Sequence, residues 1–83
     1  MVELKTLSRL LNYIIVINKN TNLRASYILN NSFLNIRIYR GKEELINNSF
    51  EDIYSESKEL EKKINVLCDV LHIFKEEYKI IKK

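Results

Sequence analysis

The chain has 83 residues, 46% of them hydrophobic and 30% charged, a formal net charge of +3, one cysteine, one histidine, one glycine and no proline. That length bounds the molecule to a single small domain, and a chain this short buries so modest a share of its surface that pairing with a second copy is a common route to adequate stability. A single glycine excludes a dinucleotide-binding fingerprint and a phosphate-binding loop, because each needs several glycines close together.

The lone Cys68 allows neither an internal disulfide nor a cysteine-rich zinc motif, and fits a reducing, cytoplasmic setting. No stretch approaches the roughly 20 apolar residues that span a bilayer, so no membrane association is expected. The apolar run over residues 10–17 is interrupted by Asn12 and lacks a small-residue cleavage site, so it does not read as a signal peptide. Ile, Asn and Lys supply 32 residues, 12, 10 and 10 respectively, a composition that suggests an AT-rich coding genome such as that of a low-GC bacterium, its phage or another mobile element. Charge is uneven. Residues 1–41 carry six Lys/Arg against Glu3, or +5, and residues 42–83 carry eight Lys against ten acids, or −2. A basic first half suggests an acidic protein surface or nucleic acid as partner.

Leu4, Leu7, Leu11 and Ile14, widened by Leu10 and Ile17, fall at helical spacing and predict a helix over residues 3–18. The β-branched run at residues 13–17 is the competing signal for a short helix followed by a strand. Lys19, Asn20, Thr21 and Asn22 form the first clear loop. Two strand-like segments follow, Arg24–Asn30 and Phe33–Arg40, joined by Asn31 and Ser32, since Asn tolerates the positive φ that two-residue hairpin turns require. In the second, Leu34, Ile36 and Ile38 alternate with Phe33, Asn35, Arg37 and Tyr39, the pattern of a strand with one face in the core. Ala25, Tyr27 and Leu29 are the inward set of the first. Gly41 ends the hairpin.

The C-terminal half is dominated by eleven positions spaced four, three, four, three: Ile46, Phe50, Ile53, Ser57, Leu60, Ile64, Leu67, Leu71, Phe74, Tyr78 and Ile81. Only Ser57 is neither apolar nor aromatic. A sustained 3.5-residue period is the seam of a helix packed lengthwise on another helix. It predicts a long amphipathic helix over residues 42–82, starting at Lys42 or restarting near Ser49, where Ser49 and Asp52 loosely resemble a capping box. Forty helical residues would span roughly 60 Å, about twice the expected width of a domain this size. Either the helix breaks, with residues 54–58 as the candidate break, or a second copy or a partner protein covers it. With Leu60, Leu67 and Phe74 at d and Ile64, Leu71 and Tyr78 at a, the flanking e and g positions bear opposite charges that can set helix orientation. Ile53, Leu60, Ile64, Leu67, Leu71, Phe74, Tyr78 and Ile81 are therefore the candidate dimer seam. Val66, Val70, Ile73 and Ile80 form a second apolar stripe, which asks for a second neighbour.

Candidate chemistry is sparse. Cys68, His72 and Glu76 share a helical stripe with Asp69 beside them, a spacing that metal ligands can adopt, but one stripe supplies only a partial set. Ordinary helix-surface pairing of His72 with Glu76 or Asp69 accounts for it as well, so neither metal nor cofactor is expected. No nucleophile, base and orienting group form a persuasive set, and no catalysis is expected. The outward strand face interleaves aromatic and basic groups. Arg24, Phe33, Arg37, Tyr39, Arg40 and Lys42 are the candidate partner-binding residues, unless the first helix covers them. The element order resembles that of double-stranded RNA-binding domains, but the acidic start of the last helix (Glu43, Glu44, Glu51, Asp52) does not suit phosphate.

These observations predict an α+β fold: an N-terminal helix, an antiparallel hairpin with a three-stranded meander as its extension, and a C-terminal helix. They also predict a small non-catalytic, homodimeric binding module. A steric inhibitor of a host protein or nucleoprotein complex made by a phage or mobile element, of the anti-CRISPR kind, is one concrete version. The alternative is a small nucleic-acid-binding regulator using the same face.

Overall fold

The computed structural model describes residues 3–55 and 57–80. It is an α+β fold. Helix α1 (Leu4–Asn20) is followed by strands β1 (Arg24–Asn30), β2 (Phe33–Arg40) and β3 (Glu43–Phe50), then by helix α2 (Lys58–Glu77). The strands form an antiparallel meander in the order β1-β2-β3.

Helix α1 takes in the whole β-branched run. Leu10, Ile14 and Ile17 are buried at helical spacing while Ile15 remains 56% exposed, so the stripe begun by the leucines overrides the strand preference of residues 13–17. Thr21 ends the helix: its backbone N–H and its hydroxyl both donate to the Ile17 carbonyl, and its hydroxyl oxygen accepts from the Leu23 N–H.

The hairpin follows its alternation. Leu34, Ile36 and Ile38 are fully buried, and Ala25 and Tyr27 pack beside them, whereas Leu29 is 40% exposed. Both turns place their first residue in the left-handed region, Asn31 at φ 56° and Gly41 at φ 61°. A short amide side chain and a missing Cβ are the two usual ways to occupy it.

The third strand replaces the predicted start of the long helix at residues 42–50. Opposite β2, Ile46, Asn48 and Phe50 lie across from Ile38, Ile36 and Leu34. A register shift between Ile38 and Tyr39 makes Leu45 the extra residue of a bulge. The chain then turns through residues 51–55, with Asp52 at φ 53° and the Ile53 N–H donating to the Ser32 carbonyl at 3.0 Å. Ile53 enters the core from this loop, fully buried. Helix α2 starts at Ser57, whose side chain accepts from the Leu60 N–H at 3.2 Å. The cap is therefore at Ser57 and not at Ser49, and the single polar position in the eleven-residue row is the point where the helix begins. Glu59 and Glu61 in its first turn and Lys75 in its last suit the helix macrodipole. Twenty residues span about 30 Å, which removes the conflict between helix length and domain size.

The two helices lie side by side and parallel, since Thr6 meets Glu61, Arg9 meets Asn65 and Asp69, and Tyr13 meets His72. Both cover the same face of the sheet. Leu10, Ile14 and Ile17 of α1 join Ile64, Leu67, Cys68 and Leu71 of α2 and Leu34, Ile36 and Ile38 of β2 in one core. The described residues assigned to a dimer seam are thus core of a single chain or packed against it. Ile53, Ile64, Leu67 and Leu71 are buried, and Leu60, Phe74 and Tyr78 pack against them. Ile81 lies outside the described residues. A 3.5-residue period serves a parallel helix neighbour equally well whether it comes from the same chain or another.

Candidate binding surfaces

With both helices on one side, the other side of the sheet carries no layer among the described residues. Strand alternation sends Arg24, Ser26, Ile28 and Asn30 of β1 to that face, beside Phe33, Asn35, Arg37 and Tyr39 of β2. Arg37 sits at its centre, opposite Ser26 on one side and Asn47 on the other, exposed, and without an ion pair among the described residues. Ile28 is 50% and Phe33 38% exposed. At one end the Arg24 guanidinium lies over the Tyr39 ring, 6.0 Å from its centroid. The Tyr39 hydroxyl donates to Glu44 at 3.0 Å.

Next to Arg37 along β2 the face is knitted by an amide. Asn35 is buried although it points away from the helices. Its Nδ2 lies 3.0 Å from Asn47 Oδ1, 2.9 Å from Ser49 Oγ and 3.3 Å from the Asn48 carbonyl. Its own Oδ1 is buried without a partner. This cluster gives the Asn47-Asn48-Ser49 run, poor in strand propensity, side-chain bonds across to β2.

Of the six residues expected to bind a partner, Arg24, Phe33, Arg37 and Tyr39 come together on the open face. Arg40 does not join them. It lies on the helix side, 5.9 Å from the Tyr78 ring centroid and 3.1 Å from Glu43, because successive strand residues point to opposite faces. Its proximity to Glu43 raises its pKa. Lys42 lies exposed in the turn between β2 and β3. Ser26, Ile28 and Asn47 belong to the face as well. Pairing each strand residue with its cross-strand neighbour would have found Ser26 and Ile28, but Asn47 required recognition of β3.

The Cys68, His72 and Glu76 stripe does not converge. Cys68 is in the core, and burial pushes its thiol pKa up. His72 is exposed and meets Tyr13 edge-on, with Nδ1 3.3 Å from the Tyr13 hydroxyl. Glu76 pairs with Lys75 at 3.4 Å. No group of three or more His, Cys, Asp or Glu among the described residues is placed to hold a metal ion. No helix among them is long and apolar enough to cross a membrane.

A second surface includes Val66 and Val70 of the second apolar stripe expected on the last helix, whereas its β3 wall was not anticipated. Between β3 and α2 runs an open groove of about 730 Å³, whose floor and wall are Leu45, Ile46, Phe50, Val66, Leu67 and Val70, with Glu59, Lys62 and Lys63 on its rim. It exists because α1 and α2 pack over β1 and β2 and leave the inner side of β3 half covered.

Comparison of the chain with family models, with curated proteins and with solved structures found no match.

Proposed function

We propose that this chain is a non-catalytic, cytoplasmic binding module that docks its open sheet face on an acidic patch of a protein partner and acts by occupying that patch. The observation that carries this reading is Arg37. Among the described residues it is a guanidinium without an ion pair at the centre of a sheet face that no helix covers, next to Tyr39 along β2 and opposite Ser26 and Asn47, with Ile28 and Phe33 farther along the same face. Arginine and aromatic side chains supply most of the energy at protein interfaces when they sit centrally, and an unpaired Arg fits a carboxylate in two parallel bonds. Inhibition of a host machine by a phage or mobile-element product is the biological version of this reading, supported by small size and the AT-rich composition.

The test is charge reversal. The Arg37→Glu protein, with Arg24→Glu as a second variant, is compared with wild type in affinity capture from extracts of low-GC bacteria. Both variants are expected to keep the wild-type circular dichroism spectrum and melting temperature, since both sites are exposed. A partner that wild type captures and Arg37→Glu loses supports the face; equal capture by both variants removes it.

The second reading is single-stranded nucleic acid on the same face, favoured by rings beside cations. The Tyr39 contacts count against it: Arg24 occupies one side of the ring and Glu44 holds its hydroxyl. Gel shifts with unrelated DNA and RNA at low and high salt separate the readings. A shift that collapses with salt would favour nucleic acid, through counterion release.

A further inference from the structure

The buried Asn35 amide decides which hydrogen-bonding groups the open face presents. Its Nδ2 lies 3.3 Å from the Asn48 backbone carbonyl, a group that can only accept, so the amide must turn its N–H groups toward β3. Asn47 therefore meets it with Oδ1, at 3.0 Å, and Ser49 with an oxygen lone pair, at 2.9 Å. Asn35 thus engages an acceptor on each of them. The Asn47 Nδ2 group and the Ser49 hydroxyl proton are left as donors, both on exposed residues. Arg37 stands directly opposite Asn47 and diagonal to Ser49, exposed and without an ion pair among the described residues. Its guanidinium adds five N–H donors in a planar fork. The centre of the face is therefore a set of donors around a single positive charge.

We infer that Arg37, Asn47 and Ser49 form a recognition site for one carboxylate, from an aspartate or glutamate side chain of a protein partner. The inference rests on the docking reading proposed above and deepens it, since it names the group that the face takes and two neutral donors that help to hold it. Donors gathered beside a guanidinium suit an oxyanion, and the charge count points to a single one. Arg24 and Arg37 stand against Glu44 on the strands of this face, which leaves one positive charge. Glu44 is engaged by the Tyr39 hydroxyl at 3.0 Å. Glu51 follows β3 in the loop, four residues from Asn47 and so about 13 Å away at about 3.3 Å per residue, beyond the screening length of about 8 Å at physiological salt. A phosphate backbone, charged at every step, asks for further cations along the face. Arg24 is held over the Tyr39 ring and 3.4 Å from the Gly41 carbonyl, and Arg40 lies on the helix side. One carboxylate fits the single guanidinium that remains.

The test is a titration of isotope-labelled protein with sodium acetate, with sodium chloride holding the ionic strength constant, read by NMR on side-chain resonances. The Arg37 Nε–H and Asn47 Nδ2 signals are expected to shift along a saturating curve. The Asn18 amide, whose two ends are bonded to Ala25, is the internal control and should stay in place. Arg37→Gln is expected to abolish the response. Asn47→Ala and Ser49→Ala are each expected to raise the half-saturating acetate concentration about threefold to tenfold, the size of one hydrogen bond. All three sites are exposed, and the backbone spectra of the same samples report whether each variant keeps the fold. A drift no larger than that in chloride alone, or wild-type curves from both alanine variants, would overturn the site. Dimethyl phosphate, also a single anion, is the comparison: saturation at a lower concentration than acetate would overturn the carboxylate assignment in favour of a nucleic-acid backbone. The docking reading fails separately, by partner capture that survives Arg37→Glu. Capture lost in Arg37→Glu but undiminished in both alanine variants would keep the docking face and overturn the site inferred here.

Discussion

Asn18, near the end of the first helix, satisfies both backbone hydrogen-bonding groups of Ala25 with a single side chain, Oδ1 to N–H and Nδ2 to C=O, each at 2.8 Å. The amide thereby stands in for a fourth strand over one residue and fixes the angle at which α1 returns onto β1. Asn18→Ala removes two hydrogen bonds at an exposed site where water can replace them, so a loss of about 1–2 kcal/mol is expected. Urea unfolding at fixed protein concentration measures it. The Ala25 amide should also lose exchange protection more than its neighbours on β1. An unchanged Ala25 exchange rate would mean that the pairing is not held in solution.

The helix seam makes a second prediction, because its residues are core while the neighbouring stripe is surface. Leu71 is fully buried and Ile73 is 51% exposed on the same helix. Leu71→Ala should cost about 2–5 kcal/mol, whereas Ile73→Ala should change the stability of the single chain by only about 0.5 kcal/mol. Thermal melts at low concentration, where self-association does not contribute, make the comparison. Similar costs at the two positions would refute the assignment of the seam to the interior.

Where the sequence was informative and where it misled can be traced to particular residues. The β2 alternation from Leu34 to Ile38 was legible because one face is fully buried and apolar while the other carries the polar Asn35 and Arg37, so period two is clean. The β3 strand was not legible. Ile46, Phe50 and Ile53 happen to fall in phase with the helical seam, although Ile46 and Phe50 sit on a strand and Ile53 in a loop. The bulge at Leu45 sets two apolar residues side by side, and the groove leaves the inner face of β3 half exposed, so its own alternation is weak. The paired glutamates and the Asn-Asn-Ser run also argue locally against a strand, and it is pairing with β2 along its length that makes them one. Ser57 was the available signal for the break, a good capping residue interrupting an otherwise apolar row. For the site, Arg24, Phe33, Arg37 and Tyr39 were reachable from alternation alone. Arg40 was misplaced by ignoring it, and of the groove only the Val66 and Val70 wall was legible, because its β3 wall depends on packing that no local pattern encodes.

Asn35 offers a third prediction. It is buried at the middle of the sheet with an unpartnered Oδ1, and the Asn47 and Ser49 side chains that its amide meets belong to exposed residues. Replacement by Val removes a buried acceptor that lacks a bond, supplies a better strand former, and leaves the former partners free to bond water. Leaving a buried polar group unpaired costs about 1–3 kcal/mol, similar in size to the bonds its Nδ2 makes. Asn35→Val should therefore change stability by only about 1 kcal/mol in either direction, unlike an ordinary disruption of a buried site. A loss several times larger, read from denaturant midpoints at constant slope, would show that the amide cluster is what holds β3 in register.

Cys68 gives a prediction in pH. The thiol is enclosed in the core, and burial raises its pKa above the ordinary value of 9.0, outweighing the opposing pull of Arg9. In the unfolded chain the thiol ionises first as pH rises, so above pH 9 the unfolded state binds fewer protons than the folded state. The sign follows directly: the contribution is fully present below the unfolded pKa and is lost as pH rises through the folded pKa. Wild type should therefore lose stability on going from pH 8 to above pH 9 more steeply than Cys68→Ala, even though the variant is less stable at neutral pH because it leaves a small cavity. The same burial should make the thiol slow to react with a disulfide reagent until denaturant opens the core, with a rate that follows the unfolded fraction. Parallel stability curves for the two proteins across that alkaline range, or prompt labelling of the native protein, would place Cys68 at the surface and contradict the packing of α2 on α1.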